Sequence, residues 1–239
     1  MKTTLRIFTL LLVIAIAITG CKKKKKEEPT PDNPTPPTEE NEVITSVKLY
    51  ITDSITGTLV IKTFNDPDGE GSGAGFFGPG TTTASAQTDS VFTLMANRTY
   101  YCRTYFLDET KSPVDTISNA VATDESYIHM FFFNGDPAAT GNYANTILSP
   151  APNYSVKLNG SNVVVKYLDY DNGPTYGYPQ RNIGLYTKLR TGASPGTMNF
   201  PFRVTLRHQP GATANTSDKD GTYTPGSTDV EVTYKVIVN

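Results

Sequence analysis

The stretch "TDVEVTYKVIVN", residues 228–239, decides the fold class. Val230, Val232, Tyr234, Val236 and Val238 share one side of an extended chain, and Asp229, Glu231, Thr233 and Lys235 share the other. Successive side chains of a strand point to opposite faces, so a period of two predicts a strand with one face in a core and one in water. Working outward, the same alternation predicts strands near 46–52, 58–64, 90–96, 99–107, 127–133, 154–158, 162–168, 183–189 and 198–208. Clusters of Gly, Pro, Asn and Asp lie between them, as turns require. From Val43 onward no stretch carries apolar residues at helical spacing. Many short strands without helices predict an all-β protein, an antiparallel Ig-like β-sandwich.

The length from 43 to 239 suffices for one sandwich or for two smaller ones. A weak internal echo bears on that choice. "SVKLYITDSITGTLVIKTFNDPDG" and "SVKLNGSNVVVKYLDYDNG" both run from an SVKL strand through a β-branched strand to an acidic turn, which suggests halves at 43–135 and 152–239. Convergent hairpin composition explains the echo equally well, and both arrangements stay open.

The first 42 residues have a different character. Lys2 and Arg6 precede an apolar run from Ile7 to Ile18, broken only by Thr9, as in a secretory signal. The run is shorter than the roughly 20 residues that a bilayer span needs. Ile18-Thr19-Gly20-Cys21 resembles the lipobox of bacterial lipoproteins, which implies cleavage after residue 20 and acylation of Cys21, with a palmitate-type chain anchoring the protein without spanning the membrane. Lys22 is not the aspartate that retains lipoproteins in the inner membrane, so the outer membrane is expected. Lys26-Glu27-Glu28 resembles the signal that sends lipoproteins of the Bacteroidota to the cell surface, though further from the cysteine than usual, which leaves periplasmic face and cell surface both open. Five prolines between Pro29 and Pro37 favour extended polyproline conformations, so 21–42 is a tether with a reach on the order of 60 Å.

Setting this leader aside leaves 14 of the 21 basic residues and 17 of the 23 acidic ones, a net charge of −3. There is no basic run, so nucleic acid is not expected as a partner. Cys102 has no internal disulfide partner once Cys21 is acylated, and within "RTYYCRTYF" it is most simply a small buried side chain.

"EVITSVKLYIT", "FNDPDGEGSG", "LMANRTYYCRTYFLDET", "ESYIHMFFF", "YLDYDNG", "VTLRHQPG" and "GSTDVEVTYKVIV" follow one another in an order that resembles a family of Bacteroidota outer-membrane lipoproteins of unestablished activity. Members are often encoded beside TonB-dependent receptors. The resemblance implies a lipid-anchored, non-enzymatic accessory that binds a nutrient or other small ligand for an outer-membrane transporter. The alternatives are a structural or adhesive surface module with calcium-stabilised loops, and a surface glycan hydrolase.

Candidate chemistry is sparse. "DPDGEGSGAGFF" sets Asp66, Asp68, Glu70 and Gly71 at positions one, three, five and six of an EF-hand-like loop, but Phe77 stands where the bidentate glutamate belongs. Asp169 and Asp171, or Asp218 and Asp220, are the candidates to complete a calcium site. Asp-Gly and Asn-Gly are also simply good turn formers. Gly69, Gly71, Gly73 and Gly75 have no following helix and no Gly-Lys-Ser/Thr, so they do not make a nucleotide loop. Two histidines exist. His129 alternates with Tyr127, Phe131 and Phe133, and His208 ends a face with Phe202, Val204 and Leu206. As a pair they are candidate ligands for a transition metal or for haem, against the plainer reading of hydrogen-bonded residues at a core border. No Gly-x-Ser-x-Gly elbow occurs, and an enzyme is not expected. Asp53-Ser54-Ile55, Asp89-Ser90-Val91 and Asp115-Thr116-Ile117 resemble the Bacteroidota O-glycosylation acceptor, which implies sugars on Ser54, Ser90 and Thr116. The Tyr176–Tyr178 pair, in a Pro/Gly-rich loop, is a candidate stacking surface.

Overall fold

The computed structural model describes residues 43–66, 75–76, 90–135, 146–149, 153–158, 161–176, 180–193, 197–209 and 227–239. The leader, Cys21, the tether, Asp68, Glu70, Asp218, Asp220 and Tyr178 lie outside these residues. Everything described belongs to one compact unit.

Among the described residues twelve strands form two sheets. The large sheet runs, edge to edge, through β3 (Gly75–Phe76), β2 (Leu59–Asn65), β1 (Ser46–Asp53), β5 (Thr99–Leu107), β10 (Tyr186–Thr191), β9 (Val163–Tyr167), β8 (Ser155–Lys157) and β7 (Thr146–Ser149). The small sheet holds β4 (Val91–Leu94), β12 (Ser227–Val238), β11 (Met198–His208) and β6 (His129–Asn134) in that order. The chain is therefore an all-β sandwich. All pairings are antiparallel except β4 with β12. β4 leads directly across to the other sheet, so no hairpin fixes its direction.

The alternation seen in sequence becomes the core. Val47, Leu49 and Ile51 of β1, Cys102 and Phe106 of β5, and Val163, Val165 and Tyr167 of β9 face Phe202, Val204 and Leu206 of β11 and Val232, Tyr234 and Val236 of β12. Phe133 stacks on Phe202 at 5.6 Å and meets Tyr167 edge-on at 5.5 Å, while Phe106 stacks on Phe131 at 5.1 Å. Each fully buried side chain of this size contributes roughly 1.5–3 kcal/mol of hydrophobic stabilisation.

Segments 43–135 and 152–239 do not form a sandwich each. β5 of the first pairs with β10 of the second, and β6 of the first pairs with β11 of the second. The two SVKL strands occupy unlike places: β1 lies inside the large sheet beside β5, whereas β8 lies next to its edge.

Among the described residues one α-helix, besides a 3-10 turn at Gly173–Tyr176, departs from the all-strand expectation. α1 (Ile117–Ala122) spans six residues and buries Ile117, Ser118 and Val121. Ser118 Oγ accepts from Phe106 N–H at 2.8 Å, pinning the helix to β5. β6 also departs from simple alternation, because all six of its residues are buried. Its outer edge is sealed: Phe131 N–H donates to Ile183 O at 2.7 Å, and Tyr167 Oη donates to Phe131 O at 2.6 Å.

Candidate metal centre

Three strands of the small sheet meet at one corner, where β6 begins, β11 ends and β12 begins. Antiparallel register sets His208 directly opposite His129, just as Leu206 is opposite Phe131 and Val204 opposite Phe133. By alternation both imidazoles lie on the core side of the sheet. Their ring centroids are 4.8 Å apart with planes inclined by 24°.

The third group arrives through an irregularity. Leu206 pairs with Val230, and the next pair is Arg207 with Thr228, so Asp229 has no residue opposite it. This is a β-bulge, which re-aims the extra side chain. Regular alternation would send Asp229 to the water face with Glu231, Thr233 and Lys235. Instead its Oδ2 lies 3.5 Å from His129 Nε2, with the side chain only 18% exposed. One ligand atom from each of His129, His208 and Asp229 lies within 4.8 Å of the others, and among the described residues this is the one group of three or more His, Cys, Asp or Glu so gathered.

The local electrostatics follow from the hydrogen bonding. His129 Nδ1 is 3.1 Å from the Glu125 carbonyl oxygen. A carbonyl can only accept, so Nδ1 carries a hydrogen. Nε2, the other ring nitrogen, faces Asp229 Oδ2, a buried oxygen without a hydrogen bond. A carboxylate oxygen desolvated in this way needs a proton or a cation beside it. Burial pushes the Asp229 carboxyl up to about 7, with the Arg207 cation opposing the rise and Glu125 adding to it. Arg207 is itself buried and donates to Thr228 Oγ1 at 2.7 Å. Glu125 Oε2 sits 3.9 Å from His129 Nδ1 and likewise makes no hydrogen bond.

Two imidazoles and a carboxylate are a donor set for a divalent first-row transition metal. Zinc takes such nitrogen and oxygen ligands at about 2.0–2.2 Å, which places two tetrahedral donors about 3.4 Å apart. The His129 to Asp229 separation already matches. Haem does not fit the pair. Bis-histidine ligation needs the two rings on opposite faces of a macrocycle, whereas these rings lie side by side in stacking contact.

Two of the acidic residues proposed for calcium, Asp169 and Asp171, serve as backbone clamps. Asp169 accepts from Gly184 N–H at 2.8 Å through Oδ1 and from Tyr186 N–H at 2.9 Å through Oδ2. Asp171 Oδ1 accepts from Gly173 N–H at 3.2 Å and Arg181 N–H at 2.9 Å. Their lone pairs are directed at amides, and among the described residues neither they nor Asp66 join a group of ion-binding spacing. Ser54 is exposed in the β1–β2 turn, while Ser90 and Thr116 are half-buried. Burial pushes the Cys102 thiol pKa up, as expected of a core side chain.

Comparison with protein-family models, curated proteins and solved structures finds no match. The histidines are visible in the sequence, but their partner Asp229 is not, because only the bulge turns it inward.

Proposed function

We propose that the protein is an exported, lipid-anchored, non-enzymatic lipoprotein that binds a divalent transition metal through His129, His208 and Asp229, as accessory to an outer-membrane transporter. The observation that carries this reading is the convergence of those three donors within 4.8 Å at one corner of the small sheet, with His129 buried there. Cys21 and the proline-rich tether support the membrane attachment, and the resemblance to lipoproteins encoded beside TonB-dependent receptors supports the transporter. The donor set favours zinc, copper, nickel or ferrous iron over calcium, which prefers six or more oxygens.

The test is a melting-temperature series on the full-length chain, stripped with EDTA and then given Zn²⁺, Cu²⁺, Ni²⁺, Fe²⁺, Ca²⁺ or haem. A ligand that binds only the native state at a hundred times its Kd adds about 2.7 kcal/mol. A rise with one or more transition metals, lost in His129→Ala with His208→Ala and reduced in Asp229→Asn, is expected. No rise with any transition metal, or a rise that survives loss of both histidines, overturns the proposal.

A further inference from the structure

The outward face of the large sheet is more basic than the composition suggests. Lys48 of β1, Arg103 of β5, Lys188 and Arg190 of β10, Lys166 of β9 and Lys157 of β8 all stand at outward positions, and these five strands carry no acidic residue there. The sequence beyond the leader has no basic run because these six residues come from five strands, which the pairing gathers onto one face. The molecule beyond the leader is net negative, so the concentration is local. Lys48 is paired with Glu109 at 3.1 Å. Lys188 sits directly opposite Lys166. Like charges in register oppose sheet formation, and an anionic partner offsets that cost.

Tyrosines are interleaved with these charges. Tyr101 is 39% exposed and stacks on Tyr186 at 6.2 Å, while the Arg103 guanidinium lies 4.2 Å over the Tyr186 ring. Tyr50 meets Tyr105 edge-on at 5.1 Å. Single-stranded nucleic acid binds by stacking bases on open aromatic faces. Here Tyr101 and Tyr186 stack on one another and the Arg103 guanidinium lies over the Tyr186 ring, which leaves little open aromatic face for a base. At one end of the face a cavity of about 350 Å³, lined in part by Arg103, Tyr105, Asp169, Tyr170 and Tyr186, is of ligand-pocket scale, and the Asp169 carboxylate there is engaged by the Gly184 and Tyr186 amides.

We infer that this face binds an acidic polysaccharide, with Arg103, Lys166, Lys188 and Arg190 meeting its carboxylates and the tyrosine hydroxyls bonding to its hydroxyls. The inference is independent of the metal centre, which lies on the small sheet. The probe is polygalacturonate, titrated calorimetrically into the full-length chain in detergent. Binding that weakens as salt is added is expected, with none to the fully methyl-esterified polymer. The triple variant Lys166→Glu, Lys188→Glu, Arg190→Glu should lose about tenfold or more in affinity at an unchanged melting temperature. Lys166→Gln, a milder change, should shift affinity in the same direction should the triple variant not fold. Absence of binding at low salt, affinity indifferent to these substitutions, or tighter binding of oligothymidylate or phosphatidylglycerol vesicles than of polygalacturonate would overturn it.

Discussion

Gly184 adopts φ +100°, and a Cβ on it would lie 2.6 Å from Tyr167 Cε1 and 2.8 Å from Phe131 Cβ. Both neighbours are fully buried, so neither can move aside cheaply. Gly184→Ala should therefore lower unfolding free energy by about 2–4 kcal/mol, from backbone strain and overpacking together. A urea titration reads this as a lower midpoint at unchanged slope; a midpoint equal to that of the parent would contradict the packing described. The same scale shows what sequence hides at the metal centre. The histidines are conspicuous as the two in the chain, but their contact depends on a register between strands some 75 residues apart in sequence, which local pattern does not reveal. Asp229 is concealed more deeply. Alternation through Val230 to Val238 assigns it to water, and one skipped residue at Arg207 and Thr228 reverses that assignment.

At the scale of the element, legibility follows how many faces are buried. β5 alternates over all nine of its residues, β11 alternates from Phe200 to Val204 and is then buried on both faces through Arg207, and the bounds of both agree with the period-two pattern. β6 is covered on both faces, so "HMFFFN" carries no alternation to read, and α1 is too short to show a 3.6-residue period. Turns are legible for a different reason, since they depend on local polar chemistry. Asp53 Oδ1 accepts from Ile55 N–H at 2.7 Å and Thr56 N–H at 3.1 Å, and Gly57 supplies φ +70° to close the β1–β2 hairpin. These amides, with a smaller contribution from Arg98, hold the Asp53 carboxyl below its ordinary range. Asp108 is lowered in the same way, first by the Thr110 hydroxyl and then by the Thr110 amide and Lys111. A carboxylate favoured by the fold contributes stability that is complete above its unfolded pKa of about 3.9 and disappears as pH falls through the lower folded value. Acidification below about pH 4 should thus lower the melting temperature. Asp53→Asn with Asp108→Asn should lower it at neutral pH and flatten the acid limb; an acid limb of undiminished steepness in that double variant would assign the loss to other groups.

At the scale of the whole molecule, the interleaving of strands decides how the chain unfolds. The large sheet joins β1, β2 and β5 to β10, β9 and β8 through a single seam, Tyr186–Arg190 against Thr99–Arg103. The small sheet has β4 and β6 at its edges and β12 and β11 between them, so those two edge strands, both from before residue 135, do not touch each other. Cutting the chain between 135 and 152 would therefore leave the first fragment with its β4 and β6 unpaired and would strip the inner face of β1 and β5 of the Phe202, Val204 and Tyr234 surface that covers it. The second fragment would lose Phe106, Phe131 and Phe133 from the other side of the same core. Exposed apolar faces and unpaired edges of that kind are not stable in isolation. Fragments 43–135 and 152–239, made separately, should each lack cooperative thermal unfolding, while the intact chain unfolds in one transition seen alike by far-ultraviolet dichroism and tyrosine fluorescence. Mixing the two fragments should restore part of the dichroism, because every seam they share is non-covalent. A fragment that melts cooperatively by itself would show that the halves are independent folding units in spite of the shared sheets.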